Sequence, residues 1–291
     1  MNVPDAYRVS VDEIVSFSQG YESTFIVSSG RPALEAAALL ASQEAAGVIV
    51  ADYGQSGEQY TLIGVVTARE ILGLLVRDRD VWRHVMRVAS GEISRPAPSL
   101  DRRDDLSGLF ERMSAYGVGL ALINDVRPKA VGLSAVLRYM AVKKPLRSIL
   151  RNYLASDIRS GPEVLSVRID QTVLESIHLM LNKGVRRLVV EDGRKILSDR
   201  SIIRFLFGSI QNMELARESP ERLLNLPLGE LAEFLQEPAL AGAGDNLETV
   251  LNRLLASEAK CCILDDGRGI ITPWDLTIKL FQRAVAEARP M

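Results

Sequence analysis

The sequence predicts an α/β (α+β) fold built from one small unit copied four times, and three observations carry that expectation. First, Gly269-Ile270-Ile271-Thr272-Pro273-Trp274-Asp275 reads as a short buried strand running straight into a helix. Two β-branched residues follow a glycine, a threonine is fit to cap, and a proline takes the first helical position, where its missing N–H costs nothing. Second, Lys260-Cys261-Cys262-Ile263-Leu264 is another apolar run, joined to the first by the Asp-Gly turn at 265–268. Third, the same strand, turn, strand and helix return without a gap 74 positions earlier, where 189–198 lie under 263–272. Weaker copies at 117–134 and 47–67 place junction hydroxyls at Thr67, Ser134, Ser198 and Thr272. That period exceeds the ~20 to 50 residues of a solenoid repeat, so a small domain has been copied.

In chain order, a short leading helix is expected at 10–17, a first strand at 24–27 and an Ala/Leu-rich helix at 32–46, both residue types being strong helix formers. Paired strands then end at Thr67. The second copy repeats the order with 81–86, 97–99, a helix at 104–115 and a turn at Arg127-Pro128-Lys129. Lys143-Lys144-Pro145 marks the boundary between halves, because proline ends the preceding helix and two lysines solvate the crossing. The third copy has a leading helix at 146–154, a strand at 164–167, a helix at 172–182 and strands from Gly184. A charged spacer at 211–224, a solvated helix or loop, precedes the fourth copy, which starts at Pro227 and closes in a helix from Pro273 to about 287. Domains are therefore expected at 1–143 and 144–291.

At 291 residues, 47% hydrophobic and 25% charged, the chain reads as globular rather than disordered. A net charge of −2 offers no general field for nucleic acid, although Lys143, Lys144, Arg147 and Arg151 form a local basic cluster. The most apolar window, 32–51, is interrupted by Glu35 and Glu44, so no membrane span is expected. The first residues lack the basic and apolar regions of a secretory signal, which places the expected location in the cytoplasm. Cys261 and Cys262 are adjacent on a strand, with one thiol expected in the core and the other facing a cleft or solvent.

Four copies of this order, with Gly-Val opening the second strand in three of them and Gly-h-h-Thr-x-x-Asp closing the fourth, resemble CBS domains. Gly184-Val185-Arg186-Arg187-Leu188-Val189-Val190 is typical of that family's second strand. The chain is similar to archaeal four-CBS proteins and to the gamma subunit of AMP-activated kinase. The resemblance covers nearly the whole chain, best in copies 3 and 4, and implies four CBS repeats forming two pseudo-twofold Bateman modules, stacked within the chain or across a homodimer. It further implies a regulatory protein without catalysis that binds AMP, ADP or ATP, or an S-adenosyl compound, between paired copies and acts on a protein partner.

The resemblance puts Thr272 and Asp275 on ribose and phosphate, with Ile271 and Cys261 or Cys262 near base or ribose. An ionised carboxylate can accept both hydroxyls of a diol, and a helix start offers N–H groups to an anion. Thr followed three residues later by an acid is equally a capping box, formed for stability alone. Both readings stand at Thr272–Asp275 and at Thr67–Glu70, where glutamate is the better capping partner. Ser198 is followed at that place by Ser201, and Ser134 by Leu137. Arg186, Arg187, Arg69, Arg200 and Lys260 are candidate phosphate contacts. Gly242-Ala243-Gly244 lacks the third glycine of a dinucleotide loop, Gly132-Leu133-Ser134-Ala135-Val136 lacks the second glycine of a nucleophile elbow, and His84 and His178 have no metal spacing. A scaffold that binds a protein and no ligand is the other class of function the sequence allows.

Overall fold

In each copy the apolar runs pair as a three-stranded sheet whose first strand is parallel to the middle one and whose third is antiparallel to it. The computed structural model describes residues 3–18, 25–43, 45–54, 60–77, 85–125, 128–159, 164–190 and 194–288. Copy 1 contributes β1 (Ile26–Val27), β2 (Val48–Tyr53) and β3 (Tyr60–Val66); copy 2 contributes β4 (Ser99–Leu100), β5 (Leu120–Ile123) and β6 (Lys129–Gly132). Copy 3 has β7 (Ser166–Val167), β8 (Arg187–Val190) and β9 (Lys195–Ser198), and copy 4 has β10 (Ala239–Ala241), β11 (Cys262–Leu264) and β12 (Ile270–Ile271). The predicted Asp-Gly turn of copy 4 is present, with Gly267 at φ +66°. The equivalent turn residues 191–193, the copy 2 segment 81–84 with His84, and Arg127 lie outside the described residues.

Two readings of local structure are corrected. Gly117 and Gly184 do not open strands: they end the helices Leu106–Tyr116 and Val173–Lys183 at φ +59° and +66°, a left-handed turn that favours glycine, and the strands begin three residues later. In copy 2 the final helix is Leu133–Val142 with Gly132 at its cap, so Ser134 lies inside the first turn and the junction has no hydroxyl. The spacer is helical, as Ile210–Glu218 and Pro220–Leu224, and buries Ala216, Leu223 and Leu224.

The leading segment of each copy packs away from its own sheet. Helix Val11–Ser18 joins the copy 2 sheet and final helix: Val11 donates to the Asp104 carbonyl at 2.7 Å, and Glu13 accepts from Tyr139 at 2.8 Å and Lys143 at 2.7 Å. The copy 2 leading helix Ser90–Ile93 closes copy 1, where Val65 and Arg95 form a bridge and the Arg95 carbonyl lies 2.4 Å from the place a Cβ on Gly64 would take. The approach requires glycine. Likewise 226–236 close copy 3 through Thr172 opposite Pro227 and Ile196 opposite Gln236, and 144–158 close copy 4 through Leu154 opposite Asn246. Sequence neighbours thus exchange their leading segments, because each small sheet leaves edge groups that only another segment can satisfy.

The compact units are not the consecutive halves 1–143 and 144–291. Copies 1 and 3 share one (24–96 and 165–237), and copies 2 and 4 share the other (1–23, 97–164 and 238–291). The reason lies in the helices. In the first unit, Ala33–Ser42 and Ala68–Leu75 pack on Asp199–Phe207 around Ala36, Ala37, Ile71, Ile202 and Leu206. In the second, Leu133–Val142 packs on Leu247–Ala256, and Tyr7 meets Phe110 and Phe281 edge-on while those two rings meet tilted. These faces bury apolar area that one small copy cannot cover alone. Among the described residues no helix is long and apolar enough to cross a membrane.

Three members of the basic cluster at the boundary are engaged by carboxylates within the copy 2/4 unit. Lys143 is paired with Glu13, while Arg147 and Arg151 hold Glu248, whose carboxylate is kept at about 2 by hydrogen bonds from Arg151 and then Arg147. Because the folded value lies below the unfolded one of ~4.3, Glu248 contributes stability above that unfolded value and loses it as pH falls towards 2. Glu248→Gln has no such carboxylate to protonate, so the stability curves of wild type and variant, followed by circular dichroism, should converge between about pH 4.3 and 2. A constant gap across that window would contradict the pairing.

Candidate functional site

The strand-to-helix junction of copy 4 is built as the sequence suggests. β12 ends at Ile271, fully buried and opposite Cys262 in the sheet, and Thr272 turns the chain into the helix. Asp275 Oδ2 accepts from the Thr272 N–H at 2.8 Å and from its hydroxyl at 2.6 Å. Asp275 Oδ1 lies 2.7 Å from Lys279 Nζ; the carboxylate is 0% exposed and the lysine 37%. Residues Asp275–Lys279 form a π-helical turn in which the Leu280 N–H reaches back to the Asp275 carbonyl, before the regular helix Leu280–Glu287. The Thr277 hydroxyl donates to the Pro273 carbonyl at 2.6 Å. Lys279 is a member the sequence reading missed, although its place four residues after Asp275 was there to be read.

Around this junction, both cysteines are buried, which corrects the expectation that one faces a cleft or solvent. Cys262 Sγ lies 3.6 Å from the Val250 carbonyl, and burial pushes its thiol up to about 12, so it packs as an inert apolar group. Lys260, at φ +48°, turns its ammonium to the Leu255 carbonyl at 2.9 Å and so caps the preceding helix.

The other candidates gather in the copy 1/3 unit. Glu70 Oε2 accepts from the Thr67 N–H at 2.9 Å and its hydroxyl at 2.5 Å, a closed capping box, and Glu70 Oε1 is 3.8 Å from Arg95. Arg69 is exposed. Ser198 and Ser201 share a hydrogen bond of 2.9 Å, and Ser198 also donates to Gln236 of the exchanged segment at 3.3 Å. Arg186 Nε donates to Asp199 at 2.6 Å; its side chain is 42% exposed while that of Asp199 is 7% exposed. Asp199 was missed because it stands beside the junction hydroxyl rather than three residues on. Glu70 adds to the field that keeps Arg186 charged, after Asp199 itself. Arg200 donates to the Ala45 carbonyl at 2.7 Å and thereby ties copy 3 to copy 1. Arg187 is half-buried at the start of β8. His178 is exposed on its helix, and among the described residues no group of three His, Cys, Asp or Glu side chains could hold a metal.

A CBS-domain profile matches residues 155–208, from the short helix Ala155–Ile158 through the copy 3 sheet to the end of helix Asp199–Phe207. That segment is a CBS domain. The other three copies repeat the same sheet order and the same final helix. No curated protein matches the sequence. Among solved structures, the chain is similar to a Methanocaldococcus jannaschii protein described as a proposed archaeal homologue of γ-AMPK, at 18% identity over 94% of this chain and 100% of that one, with a TM-score of 0.74. It is also similar to an uncharacterised conserved protein from Pyrococcus horikoshii (16% identity, 80% and 90% covered, TM-score 0.48). A third is CBSX2, a CBS-pair protein of Arabidopsis thaliana, in complex with AMP (22% identity, 46% and 97% covered, TM-score 0.32). Of these three the first speaks for the fold, and at its identity for the fold alone.

Proposed function

We propose that this CBS-domain protein is a cytoplasmic regulator without catalytic activity that binds an adenine nucleotide, AMP with ADP or ATP competing, and passes the bound state to a protein partner. An S-adenosyl compound offers the same adenosine moiety. The observation that carries the reading is the copy 4 junction, where a hydroxyl and an ionisable carboxylate are held 2.6 Å apart at the start of a helix. A ribose diol can take a carboxylate oxygen, and the helix start favours an anion. Sequence neighbours that exchange segments, 1 with 2 and 3 with 4, would act as the two modules. The ligand would work by population shift, binding one arrangement of a module better than another.

A second reading, a protein-binding scaffold, is favoured by the closed boxes at Thr67–Glu70 and Thr272–Asp275, whose carboxylate oxygens are already engaged within the chain. Native mass spectrometry separates the two. The sensor reading expects a mass increment of one or more adenylates on the purified chain, or on the chain mixed with excess AMP. A bare mass in both conditions would give the scaffold reading the lead.

A further inference from the structure

The copy 4 junction carries a cation at a position where the other three do not. Four residues after the third residue of each final helix stands Leu74 in copy 1, Tyr139 in copy 2 and Phe205 in copy 3, whereas copy 4 has Lys279. Its ammonium is 2.7 Å from the outer oxygen of a carboxylate that has no exposed surface. The π-helical turn spans these same five residues, and copies 1, 2 and 3 begin their final helices as regular α-helix. Pro273, Trp274 and Thr277 brace the turn: the threonine hydroxyl holds the proline carbonyl, and Trp274 packs on the core.

A buried carboxylate must keep a counter-charge, so a neutral diol that reaches Oδ1 has to displace an ammonium and return nothing for it. A ligand that carries an anion as well as a diol exchanges both partners. Its hydroxyls take Asp275 and its phosphate takes the freed ammonium, so no charge is left buried alone. We propose that Lys279 is a built-in counter-ion of this site and sets its specificity, closing Asp275 in the absence of ligand and selecting phosphorylated nucleosides over nucleosides. The inference rests on the nucleotide-binding reading above. Lys279 reaches solvent with more than a third of its side chain, enough freedom to swing from the carboxylate to a phosphate.

The test is calorimetric titration of adenosine and AMP into the wild type, Lys279→Met and Lys279→Arg. The wild type should bind AMP more tightly than adenosine, and Lys279→Met should shrink that preference by about tenfold or more, whatever happens to each affinity alone. Lys279→Arg keeps a cation and should retain the preference, which guards against a methionine variant that does not fold. If AMP and adenosine bind all three proteins with the same ratio, the role of Lys279 falls and nucleotide binding stands. If the wild type binds neither, both fall together.

Discussion

Truncating Phe110 to alanine should destabilise the copy 2/4 unit by about 3 to 5 kcal/mol, the usual range for a fully buried phenylalanine. Its ring is 0% exposed and meets Tyr7 at 6.0 Å and Phe281 at 5.5 Å between centroids, while Tyr7 and Phe281 meet at 5.1 Å. The three rings come from the start of the chain, the copy 2 helix and the copy 4 helix, so one cavity loosens all three segments. Tyr7 supplies an internal control. Its hydroxyl is buried with no hydrogen-bond partner among the described residues, and burial pushes the phenol well above its ordinary pKa. Removing an unsatisfied buried hydroxyl relieves a desolvation cost, so Tyr7→Phe should raise stability by about 1 kcal/mol at unchanged ring packing. Urea unfolding of both variants checks the pair. A destabilised Tyr7→Phe would mean that the hydroxyl is satisfied in solution.

Asp275→Ala carries the second large effect, because one carboxylate serves two roles. Its loss removes the acceptor for the Thr272 N–H and hydroxyl and the carboxylate paired with Lys279, at a cost of about 1 to 3 kcal/mol in thermal unfolding. If the site binds a ribose, the same change removes a charged acceptor and should weaken the nucleotide by about tenfold or more. Glu70→Ala is the contrast: its box at Thr67 is equally closed, and its loss should cost about 1 kcal/mol of stability.

The parts of this fold that the sequence made legible are those decided by neighbours along the chain. β11, its turn, β12 and the cap at Thr272 follow from β-branched residues, an Asp-Gly pair and a Thr-Pro step within about a dozen residues, and all are present. Copy 2 differs by two positions because 130–137 holds both Gly132 and Ser134, and the glycine rather than the hydroxyl takes the cap. Gly117 and Gly184 were assigned to strands because a glycine between helix and strand suits either, and the left-handed cap is visible only in φ. The exchange of leading segments could not be read at all. Nothing local to Val11–Ser18 says that it will lie on Asp104 and Tyr139 rather than on Val48, since the choice is made by edges and faces distant in sequence. At the site, Asp275 and Thr272 were legible as a pair, but their two readings share one geometry, and the partner that separates this junction from the others, Lys279, lay one helical turn beyond the motif.

The central claim, that copy 4 uses Asp275 to hold a nucleotide, is tested most directly by titrating AMP and ATP into the wild type and Asp275→Asn by calorimetry, with melting curves of both proteins alongside. Asparagine keeps the shape of the side chain and gives up the charge. The account predicts saturable binding by the wild type, an affinity at least about tenfold weaker in Asp275→Asn, and a modest fall in Tm. A fall in Tm with affinity unchanged, or no binding of either nucleotide by the wild type, would contradict it and leave Asp275 as a helix cap.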